Sequence, residues 1–264
     1  MTYKLIAADM DGTLLTNDKR ITPRTADAIR RATEAGAIFC LSTGRPLCSV
    51  RRYLDQLGLS SPVIACNGAI IVSPGDGRAL YEQGLEPDDA RKIWALSRRF
   101  GTTVTAWARD RLLVSELNER IDGYTRLNGQ TPTVIEDFDA LADGGLTKML
   151  WIDEPDRIKE YIAAIDGQLP GVNYCTSSPR FLEFFDGRVS KARAMERLGG
   201  LLGVAREEMI AIGDGENDLP MLTAAGLGVA MGNAADSIKA VCGYVTASNE
   251  DDGVAEVIDR FIFG

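Results

Sequence analysis

Asp9 and Asp11 flank Met10 in the stretch Asp9-Met10-Asp11-Gly12-Thr13-Leu14-Leu15, directly after the apolar run Leu5-Ile6-Ala7-Ala8. A short apolar run of this kind reads as a buried parallel strand. Both carboxylates therefore stand where a strand ends, the place where open α/β sheets bind their ligands. Aspartates one residue apart put one side chain forward as a nucleophile or metal ligand and leave the second beside it. Gly12 lets the chain turn tightly next to a ligand. A second acidic cluster, Gly213-Asp214-Gly215-Glu216-Asn217-Asp218, follows another apolar run, Met209-Ile210-Ala211-Ile212. Two acidic crests on two strands can close around one hard cation. The chain contains no histidine, so carboxylates, lysine and a metal must carry the chemistry. Scattered cysteines without histidine also argue against zinc.

The elements that position these crests alternate. Leu5–Ala8 reads as a strand. Thr22 and Pro23 open a helix as N-cap and first helical residue, with Ala26, Ile29 and Ala32 at helical spacing and Gly36 as its stop. Ile38–Leu41 is a second strand, ending at Ser42-Thr43-Gly44-Arg45. Val50, Leu54 and Leu57 mark a second helix stopped by Gly58, and Val63–Cys66 is a third strand ending at Asn67-Gly68. This alternation implies a parallel sheet with helices on its faces. From about Gln83 to Asp186 the character changes. Helical patterns at Pro87–Phe100 and around Ile158–Ile165 mix with strand-like runs adjacent in sequence, which suggests antiparallel hairpins. Alternation returns after Gly187, with Lys191 in the first turn of a helix marked by Met195, Leu198 and Leu202. The fold class expected is α/β: a Rossmann-like parallel-sheet core formed by residues 1–82 and 188–264, with residues 83–187 inserted as an α+β cap domain.

Composition narrows the function classes. With 264 residues, 45% of them hydrophobic, the chain can bury a substantial core. No apolar run approaches the ~20 residues of a membrane span, and the N-terminus lacks a basic region followed by an apolar one, so neither membrane nor signal peptide is expected. Five cysteines, odd in number and without CxxC spacing, read as reduced thiols of a cytoplasmic protein. The formal net charge of −9 argues against nucleic-acid binding, which wants a basic face. An anionic small molecule is still compatible, because Mg²⁺ and Lys191 act locally while screening limits distant repulsion to about 8–10 Å.

Taken together, Asp9-Met10-Asp11-Gly12-Thr13, Ser42-Thr43-Gly44-Arg45, Lys191 and Gly213-Asp214-Gly215-Glu216-Asn217-Asp218 resemble the four ordered motifs of the haloacid dehalogenase-like phosphatases. Asn67-Gly68-Ala69, Gly228-Val229-Ala230-Met231 and the stretch from Asn249 to Gly253 resemble the Cof-type sugar phosphatase branch. The resemblance implies a Mg²⁺-dependent hydrolase of small phosphorylated metabolites, sugar phosphates above all, working through an aspartyl-phosphate. Asp9 is then the nucleophile and Asp11 the general acid and base, a role that calls for a raised pKa. The metal is expected on the Asp9 and Asp214 side chains and the main-chain carbonyl of Asp11. Phosphate is expected on the Met10 N–H, the Thr43 hydroxyl, the Gly44 N–H, Lys191 and Asn217, with Asp218 orienting Lys191. Ala192 stands where the family usually has glycine. In the cap, Trp107, Ser178, Arg180 and Glu183 are candidate substrate contacts, and each also has a structural reading. Two other functions use the same features: a phosphomutase-type phosphotransferase and a non-catalytic phosphosugar sensor. The pattern does not fix the substrate or the oligomeric state.

Overall fold

The computed structural model describes residues 2–73 and 75–264. In chain order its first elements are β1 (Leu5–Ala8), α1 (Pro23–Glu34), β2 (Ile38–Leu41), α2 (Arg51–Leu57), β3 (Val63–Ala65), β4 (Ile70–Val72) and β5 (Ala79–Glu82). Next come α3 (Pro87–Phe100), β6 (Thr103–Ala108), β7 (Arg111–Val114), α4 (Glu119–Asn128), β8 (Thr133–Val134), α5 (Phe138–Asp143), β9 (Lys148–Ile152), α6 (Pro155–Ile165), β10 (Val172–Ser178) and β11 (Phe181–Asp186). The last are α7 (Lys191–Leu202), β12 (Met209–Gly213), α8 (Leu219–Ala224), β13 (Leu227–Ala230), α9 (Asp236–Lys239), β14 (Tyr244–Val245) and α10 (Gly253–Ile258). They form two compact units, one of Met1–Arg45, Val50–Tyr81 and Ser190–Gly264, the other of Pro46–Ser49 and Glu82–Val189.

The first unit is built on a parallel sheet of order β14-β13-β12-β1-β2. Side chains alternate across a strand, and β1 is buried on both faces. Ile6 and Ala8 pack with Ala28, Ile29 and Ala32 of α1 and with Val254, Val257 and Ile258 of α10. Leu5 and Ala7 face the other way, towards Ala194, Met195 and Leu198 of α7 and Met221 and Leu222 of α8. Continuing the alternation, Met10 joins the first layer and Asp9 falls on the α7 face. The register sets Leu5 beside Met209 and Ala8 beside Ile212 and Leu41. The first crest thus stands between the ends of β12 and β2. Capping follows the sequence: the Thr22 hydroxyl accepts from the Thr25 N–H at 3.1 Å, with Pro23 at the first helical position.

One expectation changes here. Val63–Ala65 meets the main sheet through a parallel bridge between Ser42 and Ile64, then turns back on itself. β3 pairs antiparallel with β4, and β5 completes a three-stranded sheet. The reason lies in the turn, where Cys66, Asn67 and Gly68 have φ of 51°, 56° and 99°. Asparagine and glycine tolerate that left-handed region, and Asn-Gly is a strong hairpin signal.

The second unit carries a six-stranded sheet of order β10-β11-β9-β6-β7-β8, antiparallel except at β7 and β8. Met149, Trp151 and Phe184 form one layer with Ile93, Ile158 and Tyr161. Helices α4 and α5 had no counterpart in the sequence reading. Asn118 and Asp137 cap them, accepting from Ile121 N–H at 3.1 Å and Ala140 N–H at 3.0 Å. Among the described residues no helix is long and apolar enough to cross a membrane.

Candidate active site

Asp9 leaves β1 with its N–H bonded to the Ile212 carbonyl at 2.9 Å, and the residue is 6% exposed. Over it lies Lys191, the first residue of α7, whose preceding N-cap Ser190 accepts from the Arg193 N–H at 3.2 Å. The Lys191 ammonium donates to Asp9 Oδ1 and to Asp218 Oδ1, each at 2.6 Å. Burial works against the lysine's charge, but Asp218 and Asp9 outweigh it and hold the ammonium protonated beyond its ordinary range. Asp218 is fully committed. Its other oxygen accepts from the N–H groups of Asp214 and Gly215 at 3.1 and 3.0 Å. Desolvation pushes the Asp9 carboxyl up to about 7, Asp218 and Asp214 add to the push, and Lys191 offsets only part of it.

Asp214 stands at the end of β12. Its Oδ1 accepts from the Thr13 hydroxyl at 2.7 Å, and Asn233 Nδ2 lies 3.5 Å from Oδ2 while donating to the Gly12 carbonyl at 2.8 Å. Burial raises its carboxyl to about 6 against the Thr13 hydrogen bond. Gly12 is required here: at φ 82° a Cβ would sit 2.3 Å from Asp214 Oδ2. Carboxylate oxygens of Asp9, Asp214 and Asp218 lie within 4.8 Å of one another. Because Asp218 already serves Lys191 and two N–H groups, Asp9 and Asp214 are the pair with capacity for a cation. Two carboxylates against a side-chain-free glycine, with no histidine in the chain, suit a hard ion such as Mg²⁺.

Asp11 is placed differently from what the sequence suggested. Its carboxylate takes Arg45 in a fork, Nε to Oδ2 at 2.6 Å and Nη2 to Oδ1 at 2.7 Å, and receives the Lys19 ammonium at 2.7 Å. Burial would raise its pKa, but the hydrogen bonds and charges of Arg45 and Lys19 win and bring it down to about 2. The raised value expected for a proton donor is therefore absent in this arrangement. Its side chain is also outside the cluster formed by Asp9, Asp214 and Asp218.

The remaining predicted residues gather in this unit. Thr43 is 1% exposed, and its hydroxyl oxygen accepts from the Arg45 N–H at 3.1 Å. Gly44 follows it at the end of β2. Asn217 donates from Nδ2 to Asn67 Oδ1 at 3.0 Å. Met10 keeps its side chain fully buried. Thr13, Lys19, Asn67, Asn233 and Asn249 were not assigned roles from sequence. Asn249 donates to the Leu15 carbonyl at 2.9 Å and its N–H reaches Asn233 Oδ1 at 3.1 Å, so two late loops brace the first crest. The asparagines inside the Cof-like segments were the available signal. Of the cap candidates, Trp107 is buried and donates to the Tyr124 hydroxyl at 3.0 Å. Glu183 is buried in an ion pair with Lys148 at 2.8 Å, and Arg180 pairs with Glu154 at 2.8 Å.

Known proteins share this architecture. A family model described as haloacid dehalogenase-like hydrolase matches residues 6–258. The putative phosphatase YxeH of Bacillus subtilis is 34% identical over 268 residues, with 98% of each chain covered. The 5-amino-6-(5-phospho-D-ribitylamino)uracil phosphatase YitU of the same organism is 32% identical over 263 residues, with 97% of each covered. The crystal structure of a haloacid dehalogenase-like hydrolase from Bacteroides thetaiotaomicron superposes with a TM-score of 0.89 at 30% identity, covering 99% of this chain and 100% of that one.

Proposed function

The chain belongs to the haloacid dehalogenase-like hydrolases and is a phosphomonoester hydrolase of that family; from that premise we propose that it is a Mg²⁺-dependent phosphatase of small phosphorylated metabolites, sugar or sugar-alcohol phosphates, acting through an aspartyl-phosphate on Asp9. The observation that carries the reading is the buried group at the ends of β1 and β12: Asp9 and Asp218 on one lysine, with Asp214 beside them. Asp9 and Asp214 would hold Mg²⁺, with the Asp11 carbonyl as a third ligand. The ion supplies neutralisation of the carboxylates and of the phosphoryl charge when bound.

In the first half-reaction an Asp9 carboxylate oxygen bonds to phosphorus while the bond from phosphorus to the leaving oxygen breaks. That oxygen takes a proton from Asp11. In the second, water attacks the aspartyl-phosphate, gives its proton to Asp11, and orthophosphate departs with Asp9 restored. Lys191, the Asn217 carboxamide, the Thr43 hydroxyl and the Met10 and Gly44 N–H groups bind the phosphoryl oxygens. Arg45 and Lys19 keep Asp11 ionised in the arrangement described. Its donor role requires that pair to open, and an incoming dianionic phosphate competes for the same two cations. Residues 83–187 are proposed to read the leaving group. The sugar-alcohol class draws support from YitU, whose name describes a phosphorylated ribityl compound.

The test is orthophosphate release from a panel of sugar and sugar-alcohol phosphates after chelation and after adding back Mg²⁺. Activity should vanish and return, and Asp9→Asn should lower kcat by at least about 10³-fold, the scale of losing a covalent nucleophile. Isomerised phosphosugar without orthophosphate would make it a mutase. Mg²⁺-dependent binding without turnover would make it a sensor.

A further inference from the structure

The turn between β3 and β4 has no part in the chemistry above, yet it meets several segments of the site. Cys66 N–H donates to the Arg45 carbonyl at 3.0 Å and Asn67 N–H to the Thr43 carbonyl at 2.9 Å. Asn67 Oδ1 accepts from Asn217 Nδ2 at 3.0 Å. A Cβ on Gly44 would lie 3.0 Å from Asn67 Oδ1 and 3.3 Å from its Nδ2, so the carboxamide rests against the Gly44 backbone. A Cβ on Gly68 would lie 2.4 Å from the Ser190 carbonyl and 3.0 Å from the Lys191 nitrogen. One turn therefore touches the Thr43–Gly44 loop, the start of α7 and the Asn217 loop. Its two non-glycine members keep left-handed backbones, φ 51° at Cys66 and 56° at Asn67. Such outliers persist where the surroundings over-determine them, and they cluster at functional sites. Asn67 is 8% exposed, and a buried carboxamide in contact with another orients it.

We infer that Asn67 is a positioning residue of the phosphoryl site, fixing the Asn217 carboxamide and the Thr43–Gly44 loop in the geometry that receives phosphate. The inference rests on the proposed reading of this site as phosphoryl-binding. Asn217 has two N–H bonds to give. With one given to Asn67, the amide cannot rotate and the other is held ready for an anion oxygen. Without Asn67 that rotation must be frozen at each binding event, which weakens affinity. The same fixing should act on turnover through KM more than through kcat, because a ground-state phosphate already uses the donor.

The experiment measures binding of orthophosphate to the full chain at saturating Mg²⁺ by titration calorimetry, beside thermal unfolding of the same samples. Asn67→Gly is the informative variant. Glycine accepts φ 56° without strain, so it keeps the turn and removes only the carboxamide. Phosphate affinity should fall by at least about tenfold, within the range found when a supporting group is removed from a site, with little change in Tm. Asn217→Ala should lose a similar factor, and adding Asn67→Gly to it should cost little more, since both remove one coupled unit. If wild type binds no phosphate, the reading of the site fails. If wild type binds and Asn67→Gly binds within about twofold, or if the two losses add in full, the inference about Asn67 is overturned. Should Asn67→Gly not fold, Asn217→Ala decides by itself: phosphate affinity equal to wild type overturns the inference.

Discussion

Replacing Lys191 by methionine keeps the length of the stem and removes the charge that two buried carboxylates share. Lys191 and Asp218 are each 1% exposed and Asp9 6%, and both contacts are 2.6 Å long. Breaking a buried pair by removing one partner costs about 3–5 kcal/mol, because the remaining charge is left uncompensated. Two carboxylates are left here, so the upper part of that range is expected at alkaline pH. At about 2–4 °C per kcal/mol, Tm should drop by about 6–20 °C. The sign of the pH dependence follows from Asp9. Its folded pKa of about 7 lies above the ordinary 3.8, so the folded chain holds a proton that the unfolded chain has released. Metal-free wild type therefore loses stability as pH rises between those values. Loss of Lys191 raises the Asp9 pKa further and extends that falling limb above pH 7. Each pH unit of the extension is worth about 1.4 kcal/mol. The deficit should be largest near pH 8.5 and shrink by about 2 kcal/mol as pH falls to about 6, where Asp9 is mostly protonated in both proteins. The assay is urea unfolding of the chelated proteins followed by far-ultraviolet circular dichroism. Fluorescence would mislead, since Trp94, Trp107 and Trp151 all lie in the unit that does not contain Lys191. A deficit below about 1 kcal/mol near pH 8.5, or one independent of pH, would refute the picture of a buried triad held by one ammonium.

Removing the guanidinium with Arg45→Met should lift the Asp11 pKa from about 2 towards the ordinary 3.8, with Lys19 still holding it down in part; carbon NMR of the aspartate carboxyls reads the shift, and an unmoved Asp11 would refute the fork. Gly12→Ala drives a Cβ to within 2.3 Å of Asp214 Oδ2 at φ 82°, so it should lower stability by about 1–3 kcal/mol and abolish the rise in Tm expected when Mg²⁺ is added to wild type. A variant that Mg²⁺ still stabilises fully would place the ion elsewhere.

What was legible in the sequence was local. Leu5–Ala8 and Met209–Ile212 are apolar runs that end in aspartates, and strand alternation alone carries Asp9 to the α7 face, where Lys191 begins a helix capped by Ser190. The environment of Asp11 was not legible, because Arg45 and Lys19 lie 34 and 8 residues away and reach it through loops that have no periodicity. The β3–β4 hairpin was missed for a different reason. Asn67-Gly68 carried its signal, but the apolar run before it also fits a parallel strand; it does meet Ser42 in a parallel bridge, and the left-handed turn that follows folds β4 back onto its other side. Helix α4 contains Gly123 and lacks a clean apolar stripe, so tertiary packing of Ile121 and Tyr124 had to make it.

The two aspartates of the first crest show how far residue type stops short of role. They are two positions apart, yet their environments push them in opposite directions, Asp9 up to about 7 and Asp11 down to about 2. The proposed chemistry asks for the reverse, an ionised nucleophile and a proton-bearing acid. Burial raises Asp9 first and its neighbouring carboxylates add to the rise, whereas at Asp11 two cations overcome the effect of burial. Around Asp9 stand Asp214 and Asp218 with Lys191 as the cation in contact, an excess of negative charge that a divalent cation would relieve. Around Asp11 stand Arg45 and Lys19, an excess of positive charge that a dianionic phosphate would draw on. Each imbalance has the sign of the partner that the proposed reaction would bring, metal for one and substrate for the other. Binding both is therefore what would return Asp9 to its carboxylate and release Asp11 to carry a proton.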